Sequence, residues 1–322
     1  MKALCYSKYG RPRDIFTIKD VPIPKIESNE ILVQVKATTV NRTDEGLVTA
    51  RYYVSRFFTG LAQPKKQSPG TDFSGVIIEI GQNVKQFKVG DRVFGFDDEI
   101  LSSHSHFMTI EENDSLLHMP SDLDFVTAAA CCEGAHYALN CINKLQLKEG
   151  QKVMVNGGTG AIGSAAIQIL KSRGLNIVAT AATEHLQLVK NLGADTVIDY
   201  TREDFTRYPG TFDLVLDAVG KSSFRKCKKL LAPKGVYIST ELGKRGANIF
   251  WALITPLFRR KRVIFPIPSN IKDSLNTMKV LIENGQFHPL IDKIYPFEKI
   301  VDAYEYVSSG QKVGNVVIQM EH

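Results

Sequence analysis

Seven consecutive residues, Gly157-Gly158-Thr159-Gly160-Ala161-Ile162-Gly163, are the part of this chain best suited to chemistry. Gly158, Gly160 and Gly163 satisfy G-x-G-x-x-G, and Gly157, Gly160 and Gly163 fall at three-residue intervals. One glycine permits a tight turn, one lets the main chain approach a pyrophosphate, and one lets helix and strand pack closely. A helix that starts there presents unpaired N–H groups and the positive end of its dipole to phosphate. The motif has meaning only between a strand and a helix. Lys152 to Asn156 (KVMVN) reads as a buried strand and 160–173 as a helix, so the context is met; a ligand-free glycine turn is the plainer alternative.

A nicotinamide dinucleotide is the ligand this context implies. NAD sites end the second strand on Asp or Glu, which holds the ribose hydroxyl. Here that strand, 176–180, runs out through Thr180-Ala181-Ala182-Thr183, and Glu184 comes later, where it offsets a helix dipole. NADP(H) is therefore favoured over NAD(H). His185 and Tyr200 are candidates to meet the 2′-phosphate or the adenine. Asn156, Thr180, Val219, Gly220 and Thr240 sit at carboxyl ends of successive strands, where ligands of such sheets bind.

The elements that must position these residues fall into two textures. The first third is rich in strands with short turns: 31–40, 73–80, and a turn at 89–91 into a short strand, which suggests a barrel. Beyond Pro120 strands alternate with helices: strands at 152–156, 176–180, 196–200, 212–218, 235–240 and 263–267, with helices at 160–173, 184–192 and 222–231. That alternation indicates a parallel sheet covered on both faces. The last fifth returns to the first texture, with helices at 273–284 and 299–308 and a closing strand at 313–319. The fold class is α/β: a doubly wound parallel-sheet domain over 122–269, set into a β-barrel domain made of 1–121 and 270–322.

Composition narrows the function classes. Hydrophobic residues make up 43% and charged residues 23% of the 322, a globular balance. The net charge of +6 is too mild and too spread for a nucleic-acid partner. Five cysteines without regular spacing make neither a disulfide framework nor a C-x-x-C site, and a cytoplasmic setting is the expectation. Ile249 to Phe258 is apolar but too short to cross a bilayer. Arg259-Arg260-Lys261-Arg262 come directly after it. This segment fits a membrane-surface contact, a cover over the site or a subunit contact; the first is disfavoured, because the run is short and leads into a core strand.

Read in order, several motifs resemble the medium-chain dehydrogenase/reductase superfamily, and within it the zinc-free quinone oxidoreductase-like branch. They are Asn41-Arg42-Thr43-Asp44, the 69–75 stretch PGTDFSG, the 87–95 stretch FKVGDRVFG, the glycine turn, the 192–200 stretch LGADTVIDY and Gly314-Asn315-Val316-Val317-Ile318. The resemblance implies a GroES-like catalytic domain, a Rossmann domain, and hydride transfer from NADPH to a quinone or an α,β-unsaturated carbonyl. Zinc members carry a cysteine where Asn41 stands and Gly-His-Glu near Gly70-Thr71-Asp72. An amide and small residues are poor Zn²⁺ ligands, so no metal is expected. His104-Ser105-His106 reads as a two-histidine surface pair on a strand, without a third ligand.

Without a metal, hydrogen-bond donors must stabilise the substrate oxygen as charge grows on it. Relatives place an asparagine and a tyrosine facing the substrate, which implies Asn41 and Tyr52, with Tyr53 the alternative if the loop register shifts by one. The segment holding Glu133 and His136 approaches the nicotinamide in relatives, so both are candidate site residues. Asp44 and Asp72 read as structural. A basic residue common in relatives corresponds to His185, another to Gly310 with Lys312 nearby. The rival functions are an NAD(P)-dependent alcohol or aldehyde dehydrogenase and a non-catalytic NADPH-binding sensor or structural protein. A homodimer is suggested by analogy alone.

Overall fold

A computed structural model describes residues 1–50, 56–97, 102–258 and 260–321, with the side chains of these ranges except Phe57 and Phe58. The chain divides into two units. One comprises Met1–Glu133, Ile271–Glu283 and His288–His322; the other comprises Gly134–Asn270 and Asn284–Phe287. The first boundary lies later than the 121/122 junction read from the sequence. The helix Phe125–Ala130 explains the difference: Ala129 and Ala130 pack on Ala37 and Val317 of the barrel sheet.

Strands β1 (Lys2–Cys5) and β2 (Thr17–Asp20) form a small antiparallel ribbon in the first unit. Its main sheet is built from β3 (Glu30–Val40), β4 (Asp72–Ile80), β5 (Arg92–Phe96), β6 (Phe107–Glu111) and β7 (Leu116–His118). The second unit holds β8 (Lys152–Asn156), β9 (Asn176–Ala181), β10 (Thr196–Asp199), β11 (Phe212–Asp217), β12 (Leu231–Ser239) and β13 (Arg262–Ile264). β14 (Ile291–Pro296) and β15 (Asn315–Gln319) complete the first sheet in the order β14-β15-β3-β4-β5-β7, with β6 on β3.

Register follows the apolar pattern: Val33 lies opposite Ile77 and Val40 opposite Val316, all fully buried. The returning helix Ile300–Ser309 buries Ile300, Ala303, Tyr304 and Val307, the i, i+3, i+4, i+7 face of an amphipathic helix. Gly310 ends it in the left-handed region, with φ 71.

All strands of the second sheet are parallel, in the order β10-β9-β8-β11-β12-β13. Counted along this unit the order is 3-2-1-4-5-6, the doubly wound dinucleotide-binding topology. The helix Ala161–Ser172 is buried along nearly its whole length.

Several elements differ from the sequence reading. The 222–231 helix shrinks to Phe224–Cys227 plus a 3₁₀ turn, because Leu231 already pairs with Phe212 in the sheet. β13 stops at Ile264, ahead of Pro266 and Pro268, which lack the N–H a ladder needs. His104 is not on an exposed strand: the strand starts at Phe107, and His104 is fully buried. Its Nε2 lies 2.8 Å from the Thr39 carbonyl and its Nδ1 3.1 Å from the Tyr304 hydroxyl, so both ring nitrogens are satisfied. Burial lowers its pKa to about 4, leaving a neutral core histidine. Among the described residues no helix is long and apolar enough to cross a membrane.

Candidate functional site

In the second unit the strand order reverses about β8, whose neighbours β9 and β11 lead in opposite directions. A crevice opens outside the carboxyl ends of strands at such a point. The glycine turn comes directly after β8. Gly157 has φ 91, and a Cβ on it would strike Val219 Cγ1 at 2.4 Å. A Cβ on Gly163 would lie 2.0 Å from the Gly157 carbonyl oxygen, so this glycine is the close helix–strand contact. Gly160 differs. It caps the helix Ala161–Ser172 with no side-chain hydrogen bond, at an ordinary φ of −70, and a Cβ there would meet nothing nearer than 3.8 Å. Packing within the chain does not demand glycine at this position; open space in front of bare amides does. The first-turn amides, those of Ala161, Ile162 and Gly163, have no intrahelical acceptor. This cradle fits a diphosphate.

A hydrogen-bonded brace lies beneath it. Asn156 Nδ2 donates to Asp217 Oδ1 at 2.9 Å, Thr180 Oγ1 donates to Asn156 Oδ1 at 2.8 Å, and Gly157 N donates to Thr180 Oγ1 at 2.9 Å. Three strand ends and the turn are tied together. Thr180 is fully buried, so the structure gives it the task of holding Gly157. Asp217 also accepts from the Tyr237 hydroxyl at 3.0 Å and Ser222 N at 2.9 Å. Val219 stands partly exposed over Gly157, Gly220 turns with φ 65, and Thr240 N donates to the Asp217 carbonyl at 3.2 Å.

Past the ends of β9 and β10 lie His185, with Glu184 at 3.9 Å, and exposed Tyr200. The sequence reading missed two residues here. Asp199 ends β10 opposite Ala181 and accepts from the hydroxyls of Thr183 and Thr201, which hold its pKa low. Arg202 Nε stands 3.5 Å from the same carboxylate, its side chain 73% exposed. The LGADTVIDY motif placed Asp199, and Thr201 two residues on is a local partner, whereas Thr183 reaches the carboxylate only through the fold.

A second polar cluster lies in the first unit. Asn41 caps the helix Arg42–Thr49 in a capping box: its side chain accepts from Asp44 N at 2.8 Å, and Asp44 Oδ2 accepts from Asn41 N at 3.1 Å. Asn41 Nδ2 donates to Thr71 Oγ1 at 2.9 Å and Asp72 Oδ2 at 3.0 Å. Both amide hydrogens are thus engaged. Asp72 also accepts from the Thr39 hydroxyl and, at 3.0 Å, from Glu133 N. Thr71 Oγ1 donates to Asp44 Oδ1 at 3.0 Å, and Thr43 Oγ1 to Glu133 Oε1 at 2.9 Å. All three carboxyls are buried.

Burial, then the neighbouring Asp72, pushes Asp44 well above the carboxylate range. Burial, then Glu133, raises Asp72 to about 7. Burial raises Glu133 too, opposed by Lys312 and the Thr43 hydrogen bond. Three carboxylates so close cannot all ionise near neutrality, and the cluster titrates as a unit.

The structure thus joins Asn41 and Glu133 through Asp72, and His136 belongs to the second unit. His136 is buried, meets Asn140 Nδ2 at 3.1 Å, and has its pKa lowered to about 4 by burial. Tyr52 and Tyr53 lie outside the described residues. Zinc does not fit around Asn41: the groups there are an amide that donates, threonine hydroxyls and carboxyls that already accept. Among the described residues no three His, Cys, Asp or Glu stand as metal ligands.

A chain that interrupts a barrel to build a 3-2-1-4-5-6 sheet with such a cradle has the architecture of a two-unit, dinucleotide-dependent oxidoreductase. Comparisons with known proteins narrow that class. Residues 27–116 match the "Alcohol dehydrogenase GroES-like domain" family and residues 192–318 the family described as "Zinc-binding dehydrogenase". The chain is 31% identical over 328 residues to 2-methylene-furan-3-one reductase of Solanum lycopersicum, covering 99% of this chain and 79% of that one. It is 30% identical to the chloroplastic NADPH-dependent alkenal/one oxidoreductase of Arabidopsis thaliana, with the same coverage. The solved quinone oxidoreductase from Coxiella burnetii superposes with a TM-score of 0.87 at 25% identity, covering 100% of this chain and 99% of that one. The chain belongs to the medium-chain dehydrogenase/reductase superfamily, in its quinone oxidoreductase-like branch.

Proposed function

We propose that this oxidoreductase reduces α,β-unsaturated carbonyls or quinones with NADPH and without zinc. The observation that carries the reading is the cradle at the switch point, with open space where Gly160 lacks a side chain. The relatives' names supply the substrate class. When bound, reduced nicotinamide supplies a hydride, accepted at the β-carbon of an enone or on a quinone ring.

The residues Asn156–Gly163 hold the diphosphate, with Asn156 and Thr180 fixing the turn. Val219, Gly220 and Thr240 border the nicotinamide end. His185, Tyr200 and Arg202 meet the 2′-phosphate. The substrate oxygen gains negative charge as the hydride arrives and needs a donor. Asn41 has its amide committed to Thr71 and Asp72, so it orders the wall. The phenol of Tyr52 or Tyr53 is then the proposed donor, and solvent supplies the final proton. Glu133 belongs with the carboxyl cluster, and neutral His136 keeps its helix partner.

Following NADPH absorbance with a 2-alkenal, a naphthoquinone and a saturated aldehyde tests the proposal. Turnover of the first two, unaffected by a chelator, is expected. Turnover of only the saturated aldehyde would make the chain an alcohol or aldehyde dehydrogenase. Tight NADPH binding with no turnover would make it a binding protein.

A further inference from the structure

The first unit carries a cavity that the proposed chemistry does not use. Its volume is about 400 Å³, the size of a small-molecule site. The N-terminal ribbon builds one wall. β1 pairs with β2 on one edge; on the other, Leu4 N donates to the His104 carbonyl at 2.9 Å and His106 N to the Lys2 carbonyl at 3.0 Å. β2 ends at Asp20, ahead of Pro22 and Pro24, which lack the N–H that would extend the ladder. Tyr6 N donates to the Gln67 carbonyl at 2.8 Å and ties in the 66–68 stretch as a second wall.

The lining has two characters. Cys5, Val21, Pro24 and Phe107 are apolar and only half-buried, so the fold leaves apolar area there for another body to cover. Ser102 and Thr109 add hydroxyls, which among the described residues have no hydrogen-bond partner. Lys66 brings a positive charge, and no Asp or Glu stands among the described lining residues. A second cation lies close by. Burial raises the pKa of the Cys5 thiol, and Lys19, opposite Ala3 in the ribbon, opposes that rise.

We infer that this cavity is a second small-molecule site and that it takes an aliphatic carboxylate. The carboxylate meets the Lys66 ammonium and the hydroxyls, with Lys19 adding to the field, and the alkyl chain covers the four apolar side chains. Charge decides the class. An amine would meet two like charges, and an alcohol would gain no charge-assisted hydrogen bond from an ionised head group. Main-chain hydrogen bonds already hold the walls, so binding has little chain to order. The inference does not depend on which substrate is reduced.

Cys5 reports on the site, because the other four cysteines are buried. In the folded full chain iodoacetamide should alkylate Cys5 alone, and hexanoate at about ten times its Kd should slow that reaction about tenfold. Calorimetry should show hexanoate binding at least about tenfold more tightly than hexan-1-ol, with hexylamine weaker still. Lys66→Glu should weaken hexanoate about tenfold, and Val21→Trp, which fills the cavity, should do at least as much. NADPH turnover should stay unchanged in both variants. Absence of hexanoate binding, or equal binding of the three probes, would overturn the inference. So would binding that leaves Cys5 fully reactive, which would place hexanoate elsewhere, or binding that survives both substitutions.

Discussion

Among single residues, Gly160 and Gly163 separate ligand binding from folding. A methyl at Gly163 collides with the Gly157 carbonyl at 2.0 Å, so Gly163→Ala should lower stability by about 3 kcal/mol and lose NADPH binding with it. A methyl at Gly160 enters open space at an ordinary φ, so Gly160→Ala should melt within about 1 kcal/mol of the parent yet bind NADPH at least about tenfold more weakly. Melting curves and a fluorescence titration read both effects. Undiminished binding by Gly160→Ala would mean that the open space is not where the diphosphate sits. Asp72 gives a second test. Its pKa is raised from 3.8 to about 7, burial being the main cause and Glu133 the next. The native state therefore holds this proton more tightly than the unfolded chain. The resulting stability is complete below the unfolded value and is lost as pH climbs through about 7. Denaturant midpoints should fall between those limits, and Asp72→Asn should flatten that slope; an equal slope in the variant would remove Asp72 as its source. The glycines were legible in sequence because a turn's demands are local. The Asn41 cluster was not, because Thr71, Asp72 and Glu133 reach it only through the fold.

At the scale of elements, cofactor preference depends on the residues at and just beyond the ends of β9 and β10. Strand β9 ends without an acid, and the acid on β10, Asp199, is occupied by Thr183, Thr201 and Arg202. Exposed Arg202 is free to swing from that carboxylate to a phosphate. Arg202→Ala should raise the KM for NADPH about tenfold and leave that for NADH within about twofold, in line with losing one charge-assisted contact. Parallel rises for both cofactors would place Arg202 away from the 2′-phosphate. The strands were the legible elements. β3, β4, β8 and β9 carry β-branched, alternating or continuous apolar runs, and their limits match the sequence to within a residue or so. The helix Arg42–Thr49 was not legible, since Gly46 and three β-branched residues are poor helix formers. The Asn41–Asp44 capping box and the burial of Val48 sustain it. His104 shows the same limit: alternation put it on an exposed strand, and its partners Thr39 and Tyr304 lie far away in sequence.

Across the whole molecule, the chain leaves the barrel unit after Glu133 and rejoins it at Ile271. Return to the first texture was readable in the sequence, because the closing strand and the Ile300–Ser309 helix repeat the barrel's apolar patterning. The two ends of the inserted unit are joined by Ser269 N donating to Asn140 Oδ1 at 3.0 Å. Every residue assigned to the diphosphate and ribose lies within this insertion. Cofactor binding should therefore act on one unit first. NADPH at about one hundred times its Kd should add about 2.7 kcal/mol to the state that binds it. If the units melt separately, only one transition should rise, and hydrogen exchange should slow around 156–163, 180–185 and 217–220 while β3 and β4 keep their rates. NADH should give a smaller rise. A chelator should give none, since the groups near Asn41 are engaged with one another. A reductant should also leave the melt unchanged, because all five cysteines are free thiols. A melting temperature that drops on chelation would show that a metal stabilises the fold, and the zinc-independent mechanism would fall with that result, while the dinucleotide assignment would stand on its own exchange pattern.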